Sequence, residues 1–160
     1  MRNVMATVLS ALALAGCHTK DVPMDADRLE EFATSYTAAW CSQDPASVAA
    51  HFAEDGSLTI NDGEPSVGRA AITEAAAGFM TAFPDMVVTM DEVSIVGDGA
   101  VYRWTLTGTN TGPGGSGNAS RIRGHEEWTL DSDGLIEVSQ GHFDESDYQR
   151  QLSTGDPLEN

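Results

Sequence analysis

Apolar residues recur every three or four positions at Leu29, Phe32, Ala33, Tyr36 and Trp40, the stripe of one helical face. Asp25 or Asp27 can cap this helix, which is expected to run to about Ser42. Asp44-Pro45 restarts a short helix through Val48, Ala49 and Phe52, and Leu58 and Ile60 then alternate with polar residues as a strand does. After the turn signal Asn61-Asp62-Gly63, an alanine-rich helix is predicted over 69–82, stopping at Phe83-Pro84-Asp85. Beyond it the apolar period shortens to two, predicting strands over 86–96, 100–111, 121–130 and 135–143. Gly97-Asp98-Gly99 and Ser132-Asp133-Gly134 read as hairpin turns, and four glycines and a proline within 111–118 read as a flexible link. A last helical turn or two is predicted over 145–152. There is no internal repeat. Helices followed by a run of antiparallel strands define an α+β domain.

Strand parity sorts the faces. Tyr102, Trp104, Leu106, Gly108 and Asn110 share one face, and Ile122, Gly124, Glu126, Trp128 and Leu130 share another. On the last strand Ile136, Val138, Gln140, His142 and Asp144 fall together. With the larger apolar sets turned inward, each surface carries a few polar groups among aromatic and aliphatic ones, the make-up of a small-molecule pocket. Glu126 is the one charge on its face. Burying an ionised carboxylate is costly, so Glu126 has a pocket role, reaches solvent at the pocket mouth, or pairs with an arginine.

The N-terminus changes the picture. Arg2, the apolar run 4–14 and the small residues before Cys17 have the layout of an export signal, and the run is too short to span a bilayer. Leu14-Ala15-Gly16-Cys17 resembles the lipobox of a bacterial lipoprotein, with an ordinary secretory signal as the alternative. The resemblance implies cleavage after residue 16, acylation of Cys17, a lipidated tether over 17–26, a domain over 27–153 and a tail over 154–160. It implies a membrane anchor in the bacterial cell envelope, and His18, in place of an aspartate, favours the outer membrane. Cys41 is then left as a lone thiol.

The 160 residues include 25 Asp and Glu against 8 Lys and Arg. Without Arg2 the net charge is −18. Such a surface repels nucleic acid, whose binding rests on neutralising phosphates, and does not attract anionic lipid. Four histidines at scattered spacing give no metal signature, and no phosphate loop, nucleophile elbow or dinucleotide fingerprint is present. No cofactor is implied.

Phe83-Pro84-Asp85, Gly97-Asp98 leading into Val101-Tyr102-Arg103-Trp104, the 107–113 segment Thr-Gly-Thr-Asn-Thr-Gly-Pro, Asp133-Gly134-Leu135-Ile136, Phe143-Asp144 and Gln151-Leu152 occur in an order and spacing that resembles the SnoaL-like polyketide cyclases. These belong to the cone-shaped nuclear transport factor 2-like superfold. The resemblance covers about residues 28–153. It implies a curved antiparallel sheet wrapping about three N-terminal helices, and dimerisation through the open sheet face, where Arg121, Arg123 and His125 fall. It also implies a catalytic role for Asp144, shuttling a proton from an activated carbon during ring closure. Asn110, standing where the family keeps a histidine, and His142 are candidate donors to the enolate. Tyr36 and Glu126 fall near the oxyanion groups of the related steroid isomerases, but Ile60 occupies the position of their base. The arginine–aspartate pair of the epoxide hydrolases is absent.

Each candidate also has a structural reading. Asp144 precedes a helix as an N-cap does, His142 and Asn110 can be satisfied structural groups, and Tyr36, Trp40, Tyr102, Trp104 and Trp128 can be core residues. Gln140 and these five aromatics are the candidate substrate-binding set, with Asp144, Asn110, Glu126 and His142 the candidate catalytic set. Two functions compete: cofactor-independent acid–base chemistry on a small apolar carbonyl compound, a cyclisation or isomerisation, and non-catalytic binding of a small hydrophobic ligand. A third is an interaction module using the sheet face.

Overall fold

The structure, a computed structural model, describes residues 24–155. Its elements are α1 (Ala26–Cys41), α2 (Pro45–Ala49), β1 (Phe52–Ile60), β2 (Ser66–Val67), α3 (Gly68–Ala82), β3 (Val87–Val96), β4 (Gly99–Thr109), β5 (Ala119–Leu130), β6 (Ile136–Phe143) and α4 (Glu145–Thr154). The signal segment, Cys17 and most of the tether lie outside the described residues. Asp25 and Ala26, assigned to the tether on sequence, already form the cap and first turn of α1.

Local chemistry sets the helix starts. The Asp25 carboxylate accepts from the Arg28 amide at 3.0 Å, and the Asp44 carboxylate from the Ala46 amide at 3.1 Å ahead of Pro45. Each satisfies an amide that has no partner inside its helix. Leu29, Ala33, Tyr36 and Trp40 of α1 are buried, as their spacing predicts. Phe83 and Pro84 end α3, because proline has no amide to continue the ladder.

The six strands form one unclosed, curved sheet in the order β2-β1-β6-β5-β4-β3. It is not wholly antiparallel. β1 pairs in parallel with β6, since the β3–β6 meander returns the chain in the direction of β1. Two-residue β2 pairs with β1 and is too short to show an alternating pattern. α1 packs on β3, α2 on α3, and α3 on β1. The Cys41 thiol, in no disulfide among the described residues, lies 3.2 Å from the Val88 amide and 3.3 Å from its carbonyl oxygen, tying the end of α1 to β3.

One irregularity decides the site. Thr129 pairs with Val138 but Leu130 with Ile136, so β6 carries Glu137 as an extra residue. A bulge of this kind turns the following side chains to the other face. Ile136 points inward as expected, but beyond the bulge Ser139, Gly141 and Phe143 take the inward positions. Val138, Gln140 and His142 are turned to the outer face, which corrects their expected orientation.

Candidate functional site

β5 keeps its parity without interruption, so Ile122, Glu126 and Trp128 are buried on the inner face. Glu126 is only 6% exposed and lines a cavity of about 60 Å³. That is several times the roughly 10–15 Å³ one water requires. The remaining walls are Trp40 from α1, Phe79 from α3, Leu58 and Ile60 from β1, Val88 from β3, Tyr102, Trp104 and Leu106 from β4, Ile122 from β5, and Gly141 and Phe143 from β6. This is the apolar hollow with a few polar groups that the sequence implies.

The Glu126 carboxylate is held by neutral donors. Oε2 accepts from Ser139 Oγ at 2.7 Å, from Trp128 Nε1 at 2.9 Å and from the Tyr36 hydroxyl at 3.0 Å. Oε1 has only a long 3.4 Å contact with the same hydroxyl. Burial raises the Glu126 carboxyl above its ordinary value, and the Trp128, Ser139 and Tyr36 hydrogen bonds pull against it by favouring the ionised form. Tyr36 is itself fully buried. Burial, with the Glu126 charge second, pushes its phenol well up, so it acts as a donor. Tyr102 stacks on Trp128 with centroids 4.9 Å apart, and the Tyr36 ring meets Trp128 edge-on at 5.2 Å. This aromatic cluster fixes the donors in place. The Tyr102 hydroxyl is used by Thr37 Oγ1 at 2.7 Å.

Trp104 adds a second polar feature. Its indole lies across Gly124, its cross-strand partner, where any Cβ would collide with the ring carbon Cζ2. Its Nε1 is buried and has no hydrogen-bond partner among the described residues. A buried donor left unpaired costs about 1–3 kcal/mol.

The structure brings together Tyr36, Trp40, Tyr102, Trp104, Glu126 and Trp128, either as walls or as supports of the carboxylate. It does not bring Asp144, Asn110, His142 or Gln140 to the cavity. Asp144 is exposed and caps α4, accepting from the Asp147 amide at 2.9 Å. Asn110 is buried, but both ends of its amide are engaged. Nδ2 donates to the Ala82 carbonyl at 3.2 Å, and Oδ1 accepts from the Ser116 amide at 2.8 Å, pinning the glycine-rich loop after β4. Gln140 and His142 are on the outer face because of the Glu137 bulge. His51 is half-buried against Phe32 and Tyr36 and bonded to Ser47 O and Ser35 Oγ. Ser139 is a residue of this site that is absent from the candidate set read on sequence. Only the bulge aims it at Glu126, and a single extra residue in a strand leaves no mark on an alternating pattern.

A helix layer over a curved, unclosed sheet, with a buried carboxylate in an apolar hollow, is the ketosteroid isomerase-like fold of the nuclear transport factor 2-like group. Residues 33–138 match the model of the SnoaL-like domain, and the chain belongs to that family. Among solved structures it is similar to TsrD from Streptomyces laurentii, with TM-score 0.70 and 22% identity over 81% of this chain and 97% of that one. It is also similar to a protein of Jannaschia sp. CCS1 named for the SnoaL-like polyketide cyclases, with TM-score 0.66 and 19% identity over 82% and 98% of the two chains. A third is a protein with a ketosteroid isomerase-like fold from Catenulispora acidiphila DSM 44928, in complex with trimethylamine, with TM-score 0.68 and 20% identity over 77% and 92%. No curated protein matches the sequence.

Proposed function

We propose that the cavity performs cofactor-independent acid–base chemistry on a small, mainly apolar carbonyl compound, with Glu126 rather than Asp144 moving the proton. The observation that carries this reading is a buried, cavity-lining carboxylate whose three close donors all sit on Oε2, leaving Oε1 with only the long 3.4 Å contact to the Tyr36 hydroxyl. Desolvation shifts such a group toward the working pH, which suits a proton shuttle. Glu126 takes a proton from the carbon next to the carbonyl, and the C–H electron pair moves into the carbonyl to give an enolate. The unpaired Trp104 indole N–H donates to the developing oxyanion. In an isomerisation Glu126 returns the proton to another carbon. In a ring closure the enolate carbon attacks a second carbonyl, and Glu126 protonates the new alkoxide.

The test is turnover of a panel of small cyclic enones and diketones. Glu126→Gln is expected to abolish turnover while retaining binding, because the amide oxygen can accept the same three donors. Equal turnover by the variant rules the mechanism out. Ligand binding without turnover by the unaltered protein supports the second reading, a carrier of hydrophobic molecules, which the apolar walls favour.

The same proposal places the domain at the cell envelope, exported and held by acyl chains on Cys17, on the strength of the Leu14-Ala15-Gly16-Cys17 pattern. Cys17→Ala is expected to move the protein from the membrane to the soluble fraction, and retention of the variant in washed membranes contradicts the anchor.

A further inference from the structure

The outer face of the sheet holds a group of residues that the cavity does not use. The β5–β6 register sets His125 directly opposite His142, with ring centroids 5.0 Å apart and planes 31° from one another. Glu127, two residues further along β5, points to the same side, and its Oε1 lies 3.8 Å from His125 Nε2. One ligand atom from each of the three residues lies within 4.8 Å of the other two.

We propose that His125, Glu127 and His142 form a binding site for a divalent transition metal ion of the zinc type. Imidazole nitrogen and carboxylate oxygen are the ligand atoms such an ion takes, at about 2.0–2.2 Å, so neighbouring ligand atoms around a tetrahedral centre stand about 3.4 Å apart. The observed separations, up to 4.8 Å, are somewhat larger, and all three side chains are at least part-exposed, with room to rotate toward a shared ion. β5 is laddered between β4 and β6, and β6 between β5 and β1, so the three residues stand on the interior of the sheet rather than at its edge. Three protein ligands leave a fourth position open to water or to a group from outside.

The site is invisible in the sequence because its two histidines are 17 positions apart and lie on different strands. Their meeting depends on the Glu137 bulge. Without that extra residue His142 would face the cavity and Ser139 the outer surface, so one backbone irregularity serves both faces of the sheet. The site lies on the opposite side of the sheet from Glu126, and the inference stands apart from the acid–base reading.

Calorimetric titration of the purified full-length chain with Zn²⁺ alone tests the proposal. One ion per chain is expected, with affinity reduced at least about tenfold by His125→Ala or His142→Ala, a loss that even an outer partner of a metal ligand can cause. Glu127→Gln is expected to weaken binding less, and His51→Ala not at all. In nitrogen-15 spectra, the ring signals of His125 and His142 are expected to move together on Zn²⁺ addition while those of His51 stay. Absence of saturable binding at micromolar Zn²⁺, or affinity unchanged in both histidine variants that still melt cooperatively, overturns the proposal.

Discussion

Ser139 Oγ lies 2.7 Å from Glu126 Oε2, and the two meet only because β6 carries Glu137 as one residue more than β5 can pair. The hydroxyl favours the ionised carboxylate, since a donor to a charged acceptor stabilises the charged form. Ser139→Ala removes that support and leaves Tyr36 and Trp128. The Glu126 carboxyl is therefore expected to titrate higher in the variant than in the parent, followed by the side-chain carboxyl carbon in NMR. Stability at neutral pH should fall by about 1 kcal/mol. A carboxyl that titrates lower in the variant contradicts this account of the site.

Glu126 also makes stability depend on pH with a definite sign. Its folded-state carboxyl binds a proton more tightly than the ordinary glutamate value of 4.5. Its contribution is fully present below that value and is lost as pH rises through the raised folded value. Glu126→Gln removes this dependence. The stability of the variant relative to the parent should therefore increase as pH rises from about 4.5 through the raised folded value, measured by urea unfolding at several pH values. A difference that stays flat across that range shows that the carboxylate is not held in a proton-favouring environment.

Much of this arrangement is legible in the sequence, and the limits of that reading are physical. The α1 stripe named Tyr36 and Trp40 because a 3.6-residue period reports a helix face directly. β4 and β5 pair without interruption from Ala100 opposite Trp128 to Thr109 opposite Ala119, so simple alternation placed Tyr102, Trp104, Glu126 and Trp128 on the inner face. On β6 the same rule failed at one residue and carried Gln140, His142 and Asp144 to the wrong side. Register is a property of two strands, and nothing in the local pattern of one strand records an insertion relative to its neighbour. The parallel pairing of β1 with β6 was hidden for a similar reason, since it is decided by the path of the chain between them. Membership of the SnoaL-like family could be read from ordered motifs, and alternation named Glu126, whereas Asp144, which the same motifs single out, is here a helix cap away from the cavity.

Tyr36 is expected to behave as a member of a network rather than as an independent contact. Tyr36→Phe keeps the ring packing against Trp128 and Tyr102 and deletes the hydroxyl 3.0 Å from Glu126 Oε2. The loss should be about 1 kcal/mol, and it should shrink when Glu126 is already glutamine, since the charge that strengthens the bond is gone. A double-mutant cycle between the two positions measures the coupling. Additive effects within error mean that the hydrogen bond contributes nothing specific.

Gly124 tests the cavity wall. A Cβ there would run into the Trp104 indole and would stand 2.5 Å from the His142 carbonyl oxygen, closer than real contacts allow. The ring can tilt but the backbone carbonyl is fixed by the ladder. Gly124→Ala is expected to cost about 1–3 kcal/mol by overpacking and to push Trp104 into the hollow, lowering ligand affinity. Chemical denaturation together with Trp fluorescence checks both effects, and an alanine variant as stable as the parent means that the indole does not lie across β5.

Asp144 separates the helix cap from chemistry most cleanly. Its carboxylate accepts from the Asp147 amide at 2.9 Å, and asparagine can accept the same bond through its amide oxygen. Asp144→Asn should therefore leave stability nearly unchanged, and turnover also, since the side chain is exposed and away from the Glu126 cavity. Asp144→Ala loses the cap at about 1 kcal/mol. The effect should concentrate in α4, where buried Gln151 joins the helix to β5 by accepting from the Arg121 amide at 2.6 Å and donating to its carbonyl at 2.8 Å. Amide exchange should speed up along 145–154 in the alanine variant and stay slow through β5 and β6. If Asp144→Asn instead abolishes turnover while its exchange pattern matches the parent, the proton is moved by Asp144 and the assignment to Glu126 is lost.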